Sequence, residues 1–174
     1  EAIAFYRGLP LYPDPQMLEA QAAEGTRTNM RAVFEAVAHR NPYPREQFSE
    51  NRWNHMVLKA LFVGSTLHPI QGLDARANPP LARMLCDYAH ERWAAGRPVS
   101  PELWRCVGPH ADAEALADLQ RVLAAGDATE RKAAALALAA CPDPNAKALL
   151  GAAPDLAAAV ERGELSWERL AAEP

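Results

Sequence analysis

The 174-residue sequence has few cysteines, no long apolar run and no excess of positive charge. Its three cysteines, Cys86, Cys106 and Cys141, lack the short spacings of metal sites, and we expect them to be reduced, buried thiols. No apolar run reaches the ~20 residues that cross a bilayer, and no secretory signal pattern is present. The net charge of −4 argues against general nucleic-acid binding.

Short catalytic motifs are also missing. The sequence contains no nucleophile elbow, phosphate-binding glycine loop, dinucleotide fingerprint or Cys-x-x-Cys pair. A metal centre needs three ligands within reach of each other, but His55, His68 and Asp74 lie in different predicted elements from His90. We therefore predict no metal and no cofactor, and a non-enzymatic protein is favoured, although an enzyme remains open.

Helical periodicity dominates what the sequence does contain. Apolar residues make up 49% of the chain, which is enough for a sizeable core, and no segment shows strand-length alternation. Proline and glycine separate short amphipathic segments throughout. The pattern predicts an all-α fold of about eight to ten helices. We expect an irregular helical bundle with HEAT-like antiparallel helix pairs in the C-terminal half.

Charge is distributed unevenly along the chain. Residues 27–105 carry 11 Lys and Arg against 7 Asp and Glu, together with four of the five histidines. Residues 106–174 carry 6 Lys and Arg against 11 Asp and Glu and are rich in alanine. We predict one domain, 1–174, with an N-terminal arm at 1–26, a basic and aromatic core region at 27–109, and an acidic helical tail at 110–174.

Capping residues predict where individual helices begin. Thr28, Ser49 and Asn78 are candidate N-caps, and Asn78 is followed by a proline that suits the first helical position. Gly25 is expected to end a short helix over residues 17–24. The helix after Thr28 is expected to bury one stripe of side chains, namely Met30, Val33, Phe34, Val37 and Ala38.

Two helices carry polar stripes that suggest a ligand site. Arg52, His55 and Lys59 share one face of the helix after Ser49, where they could hold a phosphate, carboxylate or enolate. On the helix after Asn78, Asp87 could orient His90 as an acid or base. The alternative for both stripes is a solvated face. The predicted ligand-binding residues are Arg52, His55, Lys59, Asp74, Arg76 and Arg83, and the candidate catalytic residues are His90 and Asp87.

Longer segments carry a resemblance to a known family. EGTRTNMRAVFEAVAHRNPYP (24–44), RWNHMVLKALF (52–62), GLDARANPPLARMLCDYAHERWAAGRPVSPELWRCVGP (72–109) and the tail motif LSWERLA (165–171) resemble the EboA-domain proteins of bacterial ebo clusters. The likeness covers roughly residues 10–172. Glutamine often occupies the position of His55 in that family, which favours a polar contact over catalysis for this residue.

The resemblance implies a pathway but no reaction. Such clusters also encode a UbiA-like prenyltransferase, a sugar-cyclase-like enzyme and TIM-barrel proteins, and they are linked to secondary-metabolite production and to moving a pigment precursor towards the periplasm. The EboA-type member has no motif-defined active site, so no catalytic residue is carried over.

Charge and resemblance together give the functional expectation. We expect a non-enzymatic accessory, scaffold or metabolite-binding protein of an ebo-type biosynthesis and export pathway. Its partners would be other ebo-cluster proteins, including a membrane-bound prenyltransferase, or an anionic small molecule, bound at the basic region. The alternative is an enzyme that acts on an anionic or prenylated cyclitol-type intermediate through a His–Asp pair. The expected location is cytoplasmic, with peripheral attachment to the inner membrane as a further option.

Overall fold

The computed structural model describes residues 1–173 and confirms the all-α prediction, with no strand in that range. It has twelve α-helices there, more than the eight to ten expected, because several of them have only five or six residues. Pro174, the last residue of the predicted domain, lies outside the described residues. The first five helices are α1 (Ala2–Arg7), α2 (Glu19–Arg27), α3 (Arg31–Ala38), α4 (Tyr43–Gln47) and α5 (Glu50–Phe62). The other seven are α6 (Pro79–Ala94), α7 (Leu103–Val107), α8 (Ala113–Ala125), α9 (Ala128–Ala140), α10 (Pro144–Leu150), α11 (Pro154–Glu161) and α12 (Trp167–Ala171).

The helices fall into two compact units. Unit 1 is Glu1–Arg76 and unit 2 is Ala77–Pro174. The boundary lies inside the segment 27–109 that the sequence treats as one basic region. The single-domain description and the HEAT-like pairing both stay predictions. None of the helices in residues 1–173 is long and apolar enough to span a membrane.

Unit 1 is built around the apolar faces of α3 and α5. The side chains of Phe34 and Val37 on α3 and of Trp53 and Val57 on α5 are fully buried. Ser49 caps α5 by accepting a hydrogen bond from the Arg52 backbone N–H at 3.4 Å, which confirms the predicted start of this helix. With the apolar stripe turned inward, the polar stripe of α5 is directed away from this core.

Three local predictions in unit 1 are wrong. Thr28 is not the N-cap of α3, since that position is held by Met30, and Thr28 Oγ1 accepts a hydrogen bond from the Met30 backbone N–H at 3.0 Å before the helix begins. Gly25 does not end α2, which continues to Arg27. A Cβ at Gly25 would lie 2.6 Å from Tyr6 Cζ and 2.8 Å from Val37 Cγ2, so glycine is needed here for close helix packing. Met30 is 68% exposed because α3 begins only at Arg31 and Met30 precedes its first turn.

Unit 2 is organised around α9. Every side chain from Ala133 to Leu138 is buried, and α9 packs against α7, α8, α10, α11 and α12. Four of those six side chains are alanines, and their small size allows neighbouring helices to approach α9 from several sides. Asn78 caps α6 through a 2.9 Å hydrogen bond from the Leu81 backbone N–H, as predicted.

The three cysteines are free thiols, as expected. Cys86 and Cys106 are buried, whereas Cys141 is only partly buried because it follows the last turn of α9. Burial, together with the nearby carboxylates led by Asp118, raises the pKa of Cys86 to about 12. This thiol is therefore protonated and unreactive at neutral pH.

Candidate functional site

Unit 1 contains a cleft between α2 and α5 that gathers three of the predicted ligand-binding residues. Its volume is about 550 Å³. Helix α5 contributes four residues of the lining, and α2 contributes three. The lining consists of Ala23, Thr26, Arg27, Asn51, Arg52, His55 and Lys59. The cleft lining therefore holds three Lys or Arg side chains and no Asp or Glu.

The cations of the cleft differ in how strongly they are neutralised. Arg52 forms an ion pair with Glu19, at 3.2 Å between Nη1 and Oε2. Lys59 donates instead to a neutral group, the Asn29 Oδ1, at 2.7 Å. The partly buried Lys59 ammonium is thus held in place by a hydrogen bond that leaves its positive charge uncancelled.

His55 presents one ring nitrogen to solvent. Its Nδ1 lies 2.8 Å from the backbone oxygen of Asn51. A carbonyl oxygen can only accept, so Nδ1 carries the proton and Nε2 is an acceptor in the neutral ring. His55 can therefore accept a hydrogen bond from a ligand hydroxyl, and the polar contact role that the family resemblance implies for it stays a prediction.

Arg76 and Asp74 do not line this cleft. The Arg76 guanidinium lies 4.6 Å from the centre of the Trp53 ring and donates to the backbone oxygen of Pro44 at 2.9 Å. Burial lowers the pKa of Arg76 below its ordinary value. Arg76 therefore holds α4 and α5 in place, and Asp74 lies in the exposed turn just before it.

A second, smaller pocket lies within unit 2. Its volume is about 130 Å³. As predicted, one face of α6 brings Arg83, Asp87 and His90 together here. The lining consists of Pro79, Ala82, Arg83, Cys86, Asp87, His90, His110, Asp112, Glu114 and Ala115. With three acids and one arginine, this lining is less suited to an anion than the unit 1 cleft.

The hydrogen-bond partner of His90 is Asp118 on α8, not Asp87 as the sequence interpretation has it. His90 Nε2 lies 2.7 Å from Asp118 Oδ2. Burial raises the pKa of Asp118, and the hydrogen bond from His90 opposes that rise. Trp93 lies 5.8 Å from His90, between ring centres. His90 is thus oriented by a carboxylate, as an acid or base would be, but one that lies 28 positions away in the chain.

A third polar cluster, in unit 1, has no counterpart among the predicted site residues. Ser65 Oγ donates to Glu35 Oε1 at 2.7 Å, and His39 Nε2 lies 2.9 Å from the backbone oxygen of Thr66. Because that oxygen only accepts, Nε2 carries the proton and cannot take one from Ser65. The cluster therefore lacks the base that a nucleophilic serine needs.

A family comparison bears on these sites. The model of a family described as metabolite traffic protein EboA matches residues 1–108. The chain belongs to the EboA family. No curated protein and no solved structure matches the chain.

The EboA match includes the whole unit 1 cleft. All seven lining residues lie between 23 and 59, well inside the matched range. The unit 2 pocket is divided by the end of the match, since His110, Asp112, Glu114 and Ala115 lie beyond residue 108, as does Asp118. The likeness of the tail segment 165–171 to the family also lies outside the match and stays a prediction.

Proposed function

We propose that the protein binds an anionic metabolite in the unit 1 cleft and acts in the traffic of that metabolite without changing it chemically. The observation that carries the proposal is the cleft lining itself, with Arg27, Arg52 and Lys59 and no carboxylate. The volume of about 550 Å³ falls within the range of small-molecule sites. The family description, metabolite traffic protein, supports a binding role.

The cleft chemistry favours a ligand that carries both an anion and hydroxyl groups. Arg52 offers guanidinium donors, and Lys59 offers an ammonium that can attract a phosphate or carboxylate oxygen. His55 Nε2 and the buried Thr26 lie beside them as partners for neutral polar groups. Thr26 already donates to the Ala23 backbone oxygen at 2.7 Å, which leaves its oxygen as an acceptor.

The test is to look for a retained metabolite in protein purified from its own host. Native mass spectrometry of the wild type should show a bound small molecule. The double variant Arg52→Ala/Lys59→Ala should lose it, since each charge-assisted contact contributes about 1.5–3 kcal/mol and the loss of two lowers affinity at least about 100-fold.

A matched control removes one arginine and one lysine elsewhere. Arg97 and Lys147 are exposed side chains of unit 2, and Arg97→Ala/Lys147→Ala should keep the ligand. Equal retention by both double variants, or a wild type that carries no small molecule, would reject the cleft as the binding site.

The second candidate function is an enzyme that uses His90. The observation favouring it is the 2.7 Å His90–Asp118 hydrogen bond beside the unit 2 pocket. In this enzyme Asp118 would orient the His90 ring, and Asp87 would line the pocket beside it. His90 would then act as acid or base on an anionic or prenylated cyclitol-type intermediate. In the same experiment, loss of a retained molecule from Asp118→Ala but not from Arg52→Ala/Lys59→Ala would support this function over the first.

The proposed partners and location of the protein follow from its proposed role in binding an anionic metabolite. We propose that the anionic small molecule is the primary partner, and that other ebo-cluster proteins, including the membrane-bound prenyltransferase, deliver or receive it. Arg83 and Asp74, predicted to bind the ligand, line no part of the cleft, and we propose that they contact such proteins instead. The proposed location is the cytoplasm, where the protein could reach the inner membrane from its inner face.

A further inference from the structure

Helix α5 carries an exposed aromatic side chain in line with the cationic stripe. Arg52, His55, Lys59 and Phe62 are spaced by three, four and three residues. This spacing places them within an arc of about 80° on one side of the helix and over a length of about 15 Å. Phe62 is 70% exposed at the end of that stripe. Its ring is the apolar surface that follows the polar side chains of Arg52, His55 and Lys59.

Lys59 joins the cleft to this apolar surface. Its ammonium lies 5.3 Å from the centre of the Phe62 ring and 2.7 Å from Asn29 Oδ1. Asn29 is followed directly by Met30, which is 68% exposed. Phe62 therefore flanks the Lys59 end of the cleft, and the exposed Met30 is adjacent in the chain to the residue that binds Lys59. Arg27 and Arg52 lie among the polar residues that line the cleft.

We propose that the ligand of this cleft is amphiphilic, with an anionic head held by Arg52 and Lys59 and an apolar chain lying over Phe62 and Met30. This inference rests on the proposed function and specifies the chemical class of the metabolite. A head without a chain would leave the two exposed apolar side chains without a role in binding. A chain of several carbons would cover them and gain free energy from the buried apolar area.

The charge of unit 1 argues for a small amphiphile over a membrane surface. Residues 1–76 hold eight Lys and Arg and eight Asp and Glu, so the formal charge of the unit is zero. Attachment to anionic lipid relies on clusters of several basic residues that act together. The cleft lining holds three of the unit 1 cations, two of them already paired with Glu24 and Glu19, and this limited local charge suits one anionic group.

The experiment is a titration of the whole protein with inorganic phosphate and with ethyl, butyl, hexyl and octyl phosphate, each below its micelle concentration. Isothermal titration calorimetry gives the affinity. Complete burial of one methylene contributes about 0.8 kcal/mol, which raises affinity about fourfold. On a half-open surface we expect affinity to rise about twofold for each added methylene.

Variants separate the chain from the head. Phe62→Ser/Met30→Ser should lose most of the gain in affinity with chain length that the wild type shows. Both positions are exposed, so the fold should tolerate the changes. The control Leu11→Ser/Met17→Ser removes two other exposed apolar side chains of unit 1, 87% and 74% exposed, and should leave the chain-length series unchanged.

The outcomes distinguish the two proposals. If phosphate binding depends on Arg52 but affinity does not increase with chain length, the amphiphile proposal is wrong and the anion-site proposal is kept. Absence of binding along the whole series would reject both. Co-sedimentation with vesicles of phosphatidylglycerol and phosphatidylcholine should show no binding; vesicle binding lost in Phe62→Ser/Met30→Ser, together with a flat chain-length series, would identify a lipid surface as the occupant instead.

Discussion

Glu35 shows how much a single side chain in unit 1 depends on distant residues. It accepts hydrogen bonds from Arg31 Nε at 2.6 Å and from Ser65 Oγ at 2.7 Å. These bonds, led by the one from Arg31, hold the pKa of Glu35 below its ordinary value. Ser65 lies 30 positions away, so Glu35 links α3 to the segment that follows α5.

At the residue scale, Glu35→Gln should lower the free energy of unfolding by about 1 kcal/mol at neutral pH. A carboxyl whose pKa is lowered by folding stabilises the protein above its unfolded pKa, and that contribution is lost as the pH falls through the folded pKa. The difference between wild type and variant in urea unfolding should therefore shrink below about pH 4.

Glu46→Gln is the matched control for this substitution. Glu46 also pairs with an arginine, Arg45, at 2.9 Å, but both side chains are about half exposed. Exposed pairs contribute little, so its effect at neutral pH should be smaller. A Glu35→Gln difference that persists unchanged at about pH 3 would show that shape, and not charge, accounts for it.

At the scale of elements, the packing of α7 against α9 depends on a glycine. A Cβ at Gly108, which follows α7, would lie 2.4 Å from the Ala137 backbone oxygen and 2.7 Å from its Cα. Those atoms belong to the backbone of α9, around which unit 2 is organised, so they cannot move as a flexible side chain can. The sequence shows Gly108 only as the end of a helix, and its packing role comes from α9.

Gly108→Ala should therefore lower the free energy of unfolding by about 2–3 kcal/mol, the upper part of the ~1–3 kcal/mol that forcing an extra carbon into a packed interior costs. Gly151→Ala is the control, because Gly151 also has helical backbone angles and the atom nearest to an added Cβ there is the Ala148 backbone oxygen, at 3.2 Å. Its effect should be below about 1 kcal/mol. Similar denaturation midpoints for the two variants would contradict the close approach of α7 and α9.

At the scale of the whole molecule, charge and candidate sites are divided between the two units. Unit 1 has a formal charge of zero and an anion-favouring cleft, whereas unit 2 has 10 Lys and Arg against 14 Asp and Glu and an acid-lined pocket. Judged by sequence position alone, Arg52 and His90 belong to one basic region. The structure assigns them to different units, with separate linings.

This division predicts where a ligand protects the chain. Octyl phosphate at about 100 times its Kd should stabilise the native state by about 2.7 kcal/mol, and hydrogen exchange measured by mass spectrometry should slow most in α2 and α5. Helices α8 and α9 should change less. Protection that is largest in α6 and α8 would instead place the ligand beside His90, in the unit 2 pocket.

The sequence by itself determined the helical class and several helix starts of this protein. Ser49 and Asn78 cap α5 and α6 because a capping side chain bonds to backbone only three residues away. The shared face of Arg52, His55 and Lys59 likewise follows from helical spacing alone. Such features need no knowledge of the rest of the chain.

Only the tertiary structure decided which side chains that are distant in sequence contact each other. Asp118 is not singled out by any sequence pattern, and its bond to His90 spans 28 positions. Arg76, a ligand residue by its sequence pattern, covers Trp53 instead. These contacts depend on the paths of the connecting segments and on which helix faces are buried, and both are determined by packing of the whole unit, not by local spacing.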